Sequence, residues 1–330
     1  LHAAQTASTL GLRSEIALAT LEAGEVAQLL AWHLDEPAGD PAALSQYAVF
    51  VAARQYTDIA LTGHGAAGLW AGYARHRRER LEWMMRSLLP VPLARLGAPA
   101  GSVTAAHLAM SPAHACALKH ASGLFDDERR HEVYTRTFSR QVHEANPFVR
   151  HLDLYRRCGA DDPLTRALYV EARTFLPDNH LVIADRASTA AGLRLRHPFL
   201  DRELVDQAFA LPGSLKLHGT VGMYALRRLA SRRLPPTLLP VTRCTAPAHS
   251  WLSNAVTALV PHVLLTERFD SRGIFSRPAL RRFWEEHRRG RRDHARRFWS
   301  VLMLELWFRE FIDGDAAAHP HEYAVTVRAA

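Results

Sequence analysis

Apolar and polar residues along the first sixty positions predict a strand, then helices, then a second strand. Short apolar runs near residues 15–18 and at 57–61 have the length and composition of strands. Between them, residues 25–34 and 42–54 carry apolar side chains at helical spacing. This order of elements, at these separations, predicts a parallel βαβ unit.

From residue 75 to about residue 311 the pattern is helical, with breaks at segments rich in proline and glycine. Two strands alone make a poor sheet. We therefore expect an α/β fold in which a truncated parallel sheet, the remnant of a larger one, precedes a mainly helical region. Residues 1–313 form one domain in this interpretation, and residues 314–330 form a mobile tail.

The most apolar segment, residues 298–308, is too short to cross a membrane. It has eleven residues and contains Glu305, whereas a membrane-spanning helix needs roughly 20 apolar residues. We therefore expect a buried helix here and no membrane partner.

The chain is basic, with a net charge of +8 and an isoelectric point near 9.8. Its arginines are mixed with acids on helical segments such as 75–80 and 285–289. A nucleic-acid-binding surface would instead concentrate basic residues in a stripe, often with aromatic residues between them. The pattern favours solvated helix faces over a nucleic-acid footprint.

Cysteine and lysine are both rare. The three cysteines are Cys116, Cys158 and Cys244, and their wide spacing favours a reducing, cytoplasmic location over a disulfide framework or a cysteine-based zinc site. The two lysines are Lys119 and Lys216. Any chemistry that needs a lysine must therefore use one of these two.

The segment LTGHGAAGLWAGY, residues 61–73, follows the predicted strand 57–61 and contains four glycines. Glycines between a strand and a helix let backbone N–H groups approach a phosphate closely. A loop that handles nucleotides normally also carries a carboxylate for Mg²⁺, but here the only side chain that titrates near neutral pH is His64. The loop is thus either a site of unusual chemistry or one that no longer works.

Several stretches, in matching order and spacing, resemble the C-terminal synthetase domain of the glutamine-hydrolysing asparagine synthase family. They are residues 32–47, 61–73, 175–201 (FLPDNHLVIADRASTAAGLRLRHPFLD) and 272–313. The resemblance implies a ligase that uses ATP and Mg²⁺ to adenylate a carboxylate, which an amine then converts to an amide. It also implies a separate glutaminase domain that supplies ammonia.

This sequence departs from the family pattern mainly where the family contacts nucleotide, metal or the reacting phosphorus. In the glycine loop, the resemblance places an acid at His64, the metal-binding Asp at Ala67 and a Glu at Gly68. Further along the chain it places a Lys at Ile183, a Glu at Arg194 and the catalytic Lys at Met223. The retained residues, such as Asp201, are mostly turn, cap or packing residues. We expect a degenerate active site that binds no cofactor, although the family uses ATP and Mg²⁺.

The candidate site residues follow from the same comparison. Thr62, Gly63, His64 and Gly65 would form a vestigial nucleotide loop. His64 is either a general base or a partly exposed loop histidine, as its ordinary pKa near 6.5 allows both. Arg194 is a candidate anion contact.

Three further candidates are weaker. Lys216 could replace the lysine lost at Met223, but its neighbours Pro212, Gly213 and Gly219 predict a surface loop. Asp185 and Arg186 suggest an internal ion pair more than a substrate contact. Residues 122–126 imitate the family's S-G-G-x-D-S pyrophosphate loop but lie in a helix-rich segment without a preceding strand, so we do not expect them to bind phosphate.

Three classes of function remain open. The favoured one is a family member without competent synthetase chemistry, either a degenerate enzyme or a scaffold. The second is a working amide- or lactam-forming ligase whose pyrophosphate loop lies on an upstream segment or a partner chain, which would also carry the glutaminase domain. The third is a non-catalytic helical interaction module.

An exposed apolar strand edge, expected if strands are missing, predicts self-association.

Overall fold

The computed structural model describes residues 2–88, 103–120, 132–238, 248–314 and 325–329. It is mainly helical with a small parallel sheet, which confirms the predicted α/β class. The helices of the first half are α1 (His2–Thr9), α2 (Ala23–His33), α3 (Ala42–Arg54), α4 (Ala66–Leu69), α5 (Ala74–Leu88), α6 (Val103–Ala109), α7 (Pro112–His120), α8 (Arg136–Gln141) and α9 (Val149–Arg157). Those of the second half are α10 (Pro163–Arg173), α11 (Val182–Ala190), α12 (Arg202–Ala210), α13 (Gly213–Lys216), α14 (Tyr224–Arg233), α15 (Ala248–Val263), α16 (Glu267–Ser271), α17 (Arg277–Arg288) and α18 (Ala295–Trp307).

Short helical turns of other kinds join these helices. The segment Leu176–Leu181 is a π-helical turn that runs directly into α11, and Phe308–Ile312 is another that continues α18. Pro198–Leu200 and Pro236–Leu238 are 3₁₀ turns.

The strands pair in three separate two-stranded sheets within the described ranges. Strands β2 (Ile59–Leu61) and β3 (Arg194–Arg196) are parallel, with Ile59 opposite Arg194. Strands β4 (Leu217–His218) and β5 (Val221–Gly222) form a tight hairpin. Strands β1 (Ala17–Leu21) and β6 (Val325–Ala329) are antiparallel, so the end of the segment predicted to be a tail is a strand.

The predicted βαβ unit is wrong in its pairing. Strand β1 pairs with β6, and the parallel partner of β2 is β3, which lies in the region predicted to be helical almost throughout. The reason is the composition of β3: three residues, two of them arginine, give no alternation that distinguishes a strand from a loop. Its pairing depends on β2, which lies far away in sequence.

The main core lies between α2, α3, α11, α15 and α18. Its largest fully buried members include Leu30, Tyr47, Ile183 and Trp299. Helix α18 is buried as predicted for residues 298–308, and no helix among the described residues is long and apolar enough to cross a membrane. The lone acid of this helix, Glu305, is fully buried and is paired with Arg272 at 3.0 Å and Arg309 at 2.9 Å.

Aspartate side chains cap the first turns of α10 and α12. Asp162 accepts a hydrogen bond from the backbone N–H of Thr165 at 3.0 Å, and Pro163 occupies the first turn of α10. Asp201 accepts one from the N–H of Glu203 at 3.0 Å and so begins α12. Such caps satisfy N–H groups that have no partner inside the helix. Asp201 is therefore a retained cap, as its position in the sequence predicted.

Candidate functional site

The glycine loop lies at the carboxyl ends of the parallel strands β2 and β3. The N–H of Thr62 donates to the carbonyl of Arg196 at 2.9 Å, which extends the parallel pairing into the loop. In open α/β sheets, ligands bind at this end of the strands. The structure thus brings Thr62, Gly63, His64 and Gly65 to the edge where a nucleotide site would be expected.

Gly65 is required by the fold. Its φ is +91°, and a Cβ at this position would lie 2.3 Å from the side chain of Leu200. Gly63 differs, because a Cβ there would meet no atom within 4 Å. Packing among the described residues therefore explains Gly65 but gives no reason for glycine at position 63.

Three histidines meet beside this loop, and we call His64, His180 and His197 the histidine cluster. His197 directly follows β3, and His180 lies in the π-helical turn before α11. The Oγ1 of Thr62 lies 2.7 Å from Nδ1 of His197 and 2.9 Å from Nδ1 of His64. The rings of His64 and His180 are 6.3 Å apart. The Thr62 hydroxyl can donate to one imidazole while it accepts from the other, so it links two members of the cluster.

Burial favours the neutral form of all three members of the histidine cluster. Burial, together with the neighbouring His197 and His180, lowers the pKa of His64 to about 4. Burial also lowers the pKa of His180, against the opposing effect of Asp40 and Glu171. It lowers the pKa of His197 as well, against Asp185. A neutral imidazole can accept a proton, but a pKa near 4 makes His64 a weak base.

Two members of this cluster were missed from sequence. His180 and His197 both lie in the 175–201 stretch that carries the family resemblance, but neither has a partner nearby in sequence. The signal that could have found His197 is its position directly after the segment that forms β3, which ends at the same sheet edge as the loop. His180 carries no comparable local signal.

The expected metal ligands are absent from the loop. Ala67 and Gly68 lie in the short helix α4 and offer no side-chain oxygen. Behind Gly68, a Cβ would lie 3.5 Å from Cγ of Glu171. That carboxylate is already bound by Arg75, whose Nε lies 2.8 Å from Oε2. A nearby acid, Asp40, accepts a hydrogen bond from Asn179 at 2.8 Å.

Met223 occupies the position that the resemblance assigns to a catalytic lysine. Its N–H donates to the carbonyl of Trp70 at 2.8 Å, and its φ is +56°. Its side chain packs on the apolar cluster that contains Leu69 and Trp70, with the sulfur 2.9 Å from where a Cβ on Gly72 would lie. The residue therefore acts as a packing group.

Lys216 is not in a surface loop, and that prediction was wrong. Its side chain is fully buried, and its ammonium finds no hydrogen-bond partner among the described residues. It lies 5.4 Å from the ring centroid of Phe209. Burial lowers the pKa of Lys216 to about 8, against the attraction of Asp162. The other lysine, Lys119, is held between Glu79 and Glu82.

The remaining predicted residues lie apart from the histidine cluster. Arg194 is exposed at the first position of β3, whereas the cluster lies beyond the last position, and its proposed contact with an anion stays a prediction. The predicted pair of Asp185 with Arg186 is wrong, because Arg186 binds Asp35 at 2.9 Å and both side chains are about half exposed. Residues 122–126 lie outside the described residues.

These features define an α/β domain with a glycine loop at the carboxyl edge of its parallel strands. The family model for asparagine synthase matches residues 1–309. The chain therefore belongs to the asparagine synthase family, which is a family of ligases.

Curated relatives agree with this assignment. Proteins of Mycobacterium tuberculosis and Mycobacterium bovis named "Putative asparagine synthetase (glutamine-hydrolyzing)" are each 32% identical over 297 residues, covering 86% of this chain and 44% of the relative. Asparagine synthetase (glutamine-hydrolyzing) 1 of Bacillus subtilis is 24% identical over 291 residues, covering 84% of this chain and 44% of the relative. The chain thus matches less than half the length of these relatives.

Proposed function

We propose that this chain is a synthetase-type domain of the asparagine synthase family that no longer forms an acyl-adenylate from ATP. The observation that carries the proposal is the packing of Met223. At the position where the resemblance implies a lysine, a thioether lies against Gly72 and the Leu69–Trp70 cluster. A group in this environment cannot offset the charge that develops on a phosphate during transfer.

No lysine elsewhere in the chain is available to replace it. Of the two lysines, Lys119 is buried between two glutamates, and Lys216 is buried at the end of α13 beside the ring of Phe209. Freeing either ammonium would require a large rearrangement of its surroundings. The burial of both lysines therefore supports a structural role for each of them.

The positions where the resemblance places carboxylate ligands for Mg²⁺ also carry no carboxylate in this chain. Mg²⁺ binds oxygen in near-octahedral geometry, and Ala67 and Gly68 provide none from their side chains. Glu171, the carboxylate behind Gly68, is buried and faces Arg75 and His120. The histidine cluster that lines the same edge offers nitrogen ligands instead, which suit Mg²⁺ poorly.

Calorimetric titration with Mg·ATP tests this proposal. We expect no binding tighter than millimolar for the wild-type chain, while the Bacillus subtilis relative serves as a positive control for the conditions. A Gly63→Val variant provides the matched control: a Cβ at position 63 meets no atom within 4 Å, so the change should leave the fold intact, and we expect the added side chain to hinder a phosphate from approaching the loop. Tight Mg·ATP binding by the wild type that disappears in Gly63→Val would overturn the proposal.

A second candidate is a working amide- or lactam-forming ligase that uses His64 as a base. The observation that favours it is the hydrogen-bonded link from His64 through Thr62 to His197 at the carboxyl edge. Such a ligase would need a pyrophosphate loop and a glutaminase domain from an upstream segment or a partner chain. The two candidates separate in one assay, since only the second predicts ATP-dependent amide formation that falls in His64→Asn.

The outer edge of β2 supports a proposal about association. Within the described ranges the parallel sheet has only β2 and β3, and Ile59 and Leu61 on β2 are 44% and 75% exposed. Exposed apolar edge strands pair readily with other chains. We propose that this edge receives a strand from a partner chain or from a second copy.

We also propose that the chain is cytoplasmic. The free thiols of Cys116 and Cys158 are consistent with a reducing compartment.

Sedimentation of variants tests the association. Changing both Ile59 and Leu61 to lysine should reduce self-association of the chain. The control is Val149→Lys, which alters an equally exposed apolar residue on α9, away from the sheet. Equal sedimentation of all three proteins would remove the support for this edge.

A further inference from the structure

Behind the glycine loop, three helices each contribute one buried side chain to a single cluster. His76 comes from α5, His120 from the end of α7, and Glu171 from α10. Their exposed fractions are 0%, 3% and 1%. Such a convergence of two imidazoles on one carboxylate, shielded from solvent, lies outside the histidine cluster described above.

The distances suit a small divalent ion. One ligand atom from each residue lies within 4.8 Å of the other two. His120 Nδ1 is 2.8 Å and His76 Nε2 is 3.6 Å from the Oε2 of Glu171. A zinc ion about 2.0–2.1 Å from each of its tetrahedral ligands holds those atoms roughly 3.4 Å apart. Small side-chain shifts would therefore bring all three into coordination.

The hydrogen bonding of the imidazoles is incomplete. Neither nitrogen of His76 finds a hydrogen-bond partner among the described residues, and Nδ1 of His120 lacks one of good geometry despite its proximity to Glu171. Buried polar atoms in folded proteins are nearly always paired. Two such nitrogens, Nε2 of His76 and Nδ1 of His120, face one carboxylate, and a bound ligand explains them better than packing alone.

Arg75 prepares the carboxylate for this role. Its Nη2 lies 2.5 Å from Oε1 of Glu171, and its Nε lies 2.8 Å from Oε2. The guanidinium is itself fixed between the rings of Tyr73 at 4.2 Å and Phe175 at 4.5 Å. Partners of this kind orient a ligating carboxylate. The positive charge of Arg75 also opposes a cation, so the site should bind more weakly than a site without it.

We propose that His76, His120 and Glu171 form a structural site for a zinc-class divalent ion that joins α5, α7 and α10. Two imidazole nitrogens and one carboxylate oxygen are a ligand set that zinc accepts and that magnesium does not favour. The burial of all three residues indicates a structural ion, and a water molecule would fill the fourth tetrahedral position. The site would hold Tyr73 and Arg75, which flank the candidate functional site, in place. It does not depend on the function proposed above.

Titration of metal-free protein with Co²⁺ tests the site directly. We expect one equivalent to bind, with the visible absorption bands of tetrahedral cobalt, and Zn²⁺ to displace it and to raise the unfolding temperature by several degrees. Binding should be lost in His120→Asn and in Glu171→Gln. His107→Asn is the matched control, because His107 is another buried histidine, bound to Glu82 rather than to this cluster.

Several outcomes would overturn the proposal. Wild-type protein that binds well under one equivalent of cobalt and of zinc contradicts it without any variant, so a variant that fails to fold leaves the test intact. Binding that persists in folded His120→Asn contradicts it as well. Binding that is lost in His64→Asn but kept in His120→Asn would assign the ion to the histidine cluster instead.

Discussion

Replacing Lys216 by methionine should stabilise the protein at neutral pH. The ammonium of Lys216 is fully buried and has no hydrogen-bond partner among the described residues. The groups that offset its charge are the ring of Phe209, at 5.4 Å, and the carboxylate of Asp162. Methionine has a similar volume and no charge, so Lys216→Met removes the cost of burying the ion while keeping the packing.

The pKa of Lys216 gives the size of the effect. A fall from 10.5 to about 8 corresponds to roughly 3 kcal/mol. Relaxation of the protein and solvent around the ion reduces this, so we expect a gain of about 2 kcal/mol at pH 7. Below pH 8, Lys216 is protonated in both the folded and the unfolded state, so the full cost of burying its charge applies. Between pH 8 and 10.5 the unfolded state binds more protons, so the wild type gains stability as pH rises and the advantage of Lys216→Met shrinks.

Urea unfolding at pH 7 and pH 10 measures both parts of this prediction. The matched control is Lys119→Met, which removes the other lysine and leaves Glu79 buried without its ion-pair partner, while Glu82 keeps His107. That variant should lose about 3–5 kcal/mol at pH 7. If Lys216→Met were destabilising at pH 7, the ammonium would have a stabilising partner and our account of this residue would be refuted.

Three further predictions concern stability. His64 takes up a proton near pH 6.5 in the unfolded state but only near pH 4 in the folded state, so acid destabilises the wild type between these pH values. In urea titrations, His64→Gln should therefore lose less stability than the wild type between pH 7 and pH 5. Equal losses in the two proteins would contradict this. Gly222→Ala places a Cβ 2.2 Å from the carbonyl oxygen of Ala71 and should lower the free energy of unfolding by more than about 2 kcal/mol. In the same assay the control Gly159→Ala, whose Cβ meets no atom within 4 Å, should change it by less than about 0.5 kcal/mol. Arg272→Met removes one partner of the buried Glu305 and should cost about 3 kcal/mol in thermal or urea unfolding, and a neutral result would show that Arg309 suffices.

Local signals in the sequence predicted the elements that form locally. The glycine loop after residues 57–61, the helices on either side of it and the buried helix at 298–308 follow from periodicity and from turn residues, because these depend on neighbours in the chain. The role of Asp201 as a cap was predictable for the same reason. Strand β3 was not, since three residues gain strand character only by pairing with β2.

The candidate site was predictable only in part, because its geometry depends on tertiary packing. His64 was found in the loop, but His180 and His197 join it through the fold of residues 175–201. Lys216 was misjudged because nearby proline and glycine predict a loop, whereas α13 is packed inward. Arg186 was assigned to its sequence neighbour, yet its partner Asp35 follows α2.

ATP–pyrophosphate exchange tests the central claim most directly, because it reports formation of the acyl-adenylate itself. The assay would offer the chain aspartate and a panel of other carboxylates with Mg·ATP, and the Bacillus subtilis relative in parallel. We predict exchange no greater than background with every carboxylate, because Met223, Ala67 and Gly68 supply neither the cation nor the metal ligands. Exchange above background that falls in His64→Asn or Gly63→Val would show a working ligase and would contradict the account.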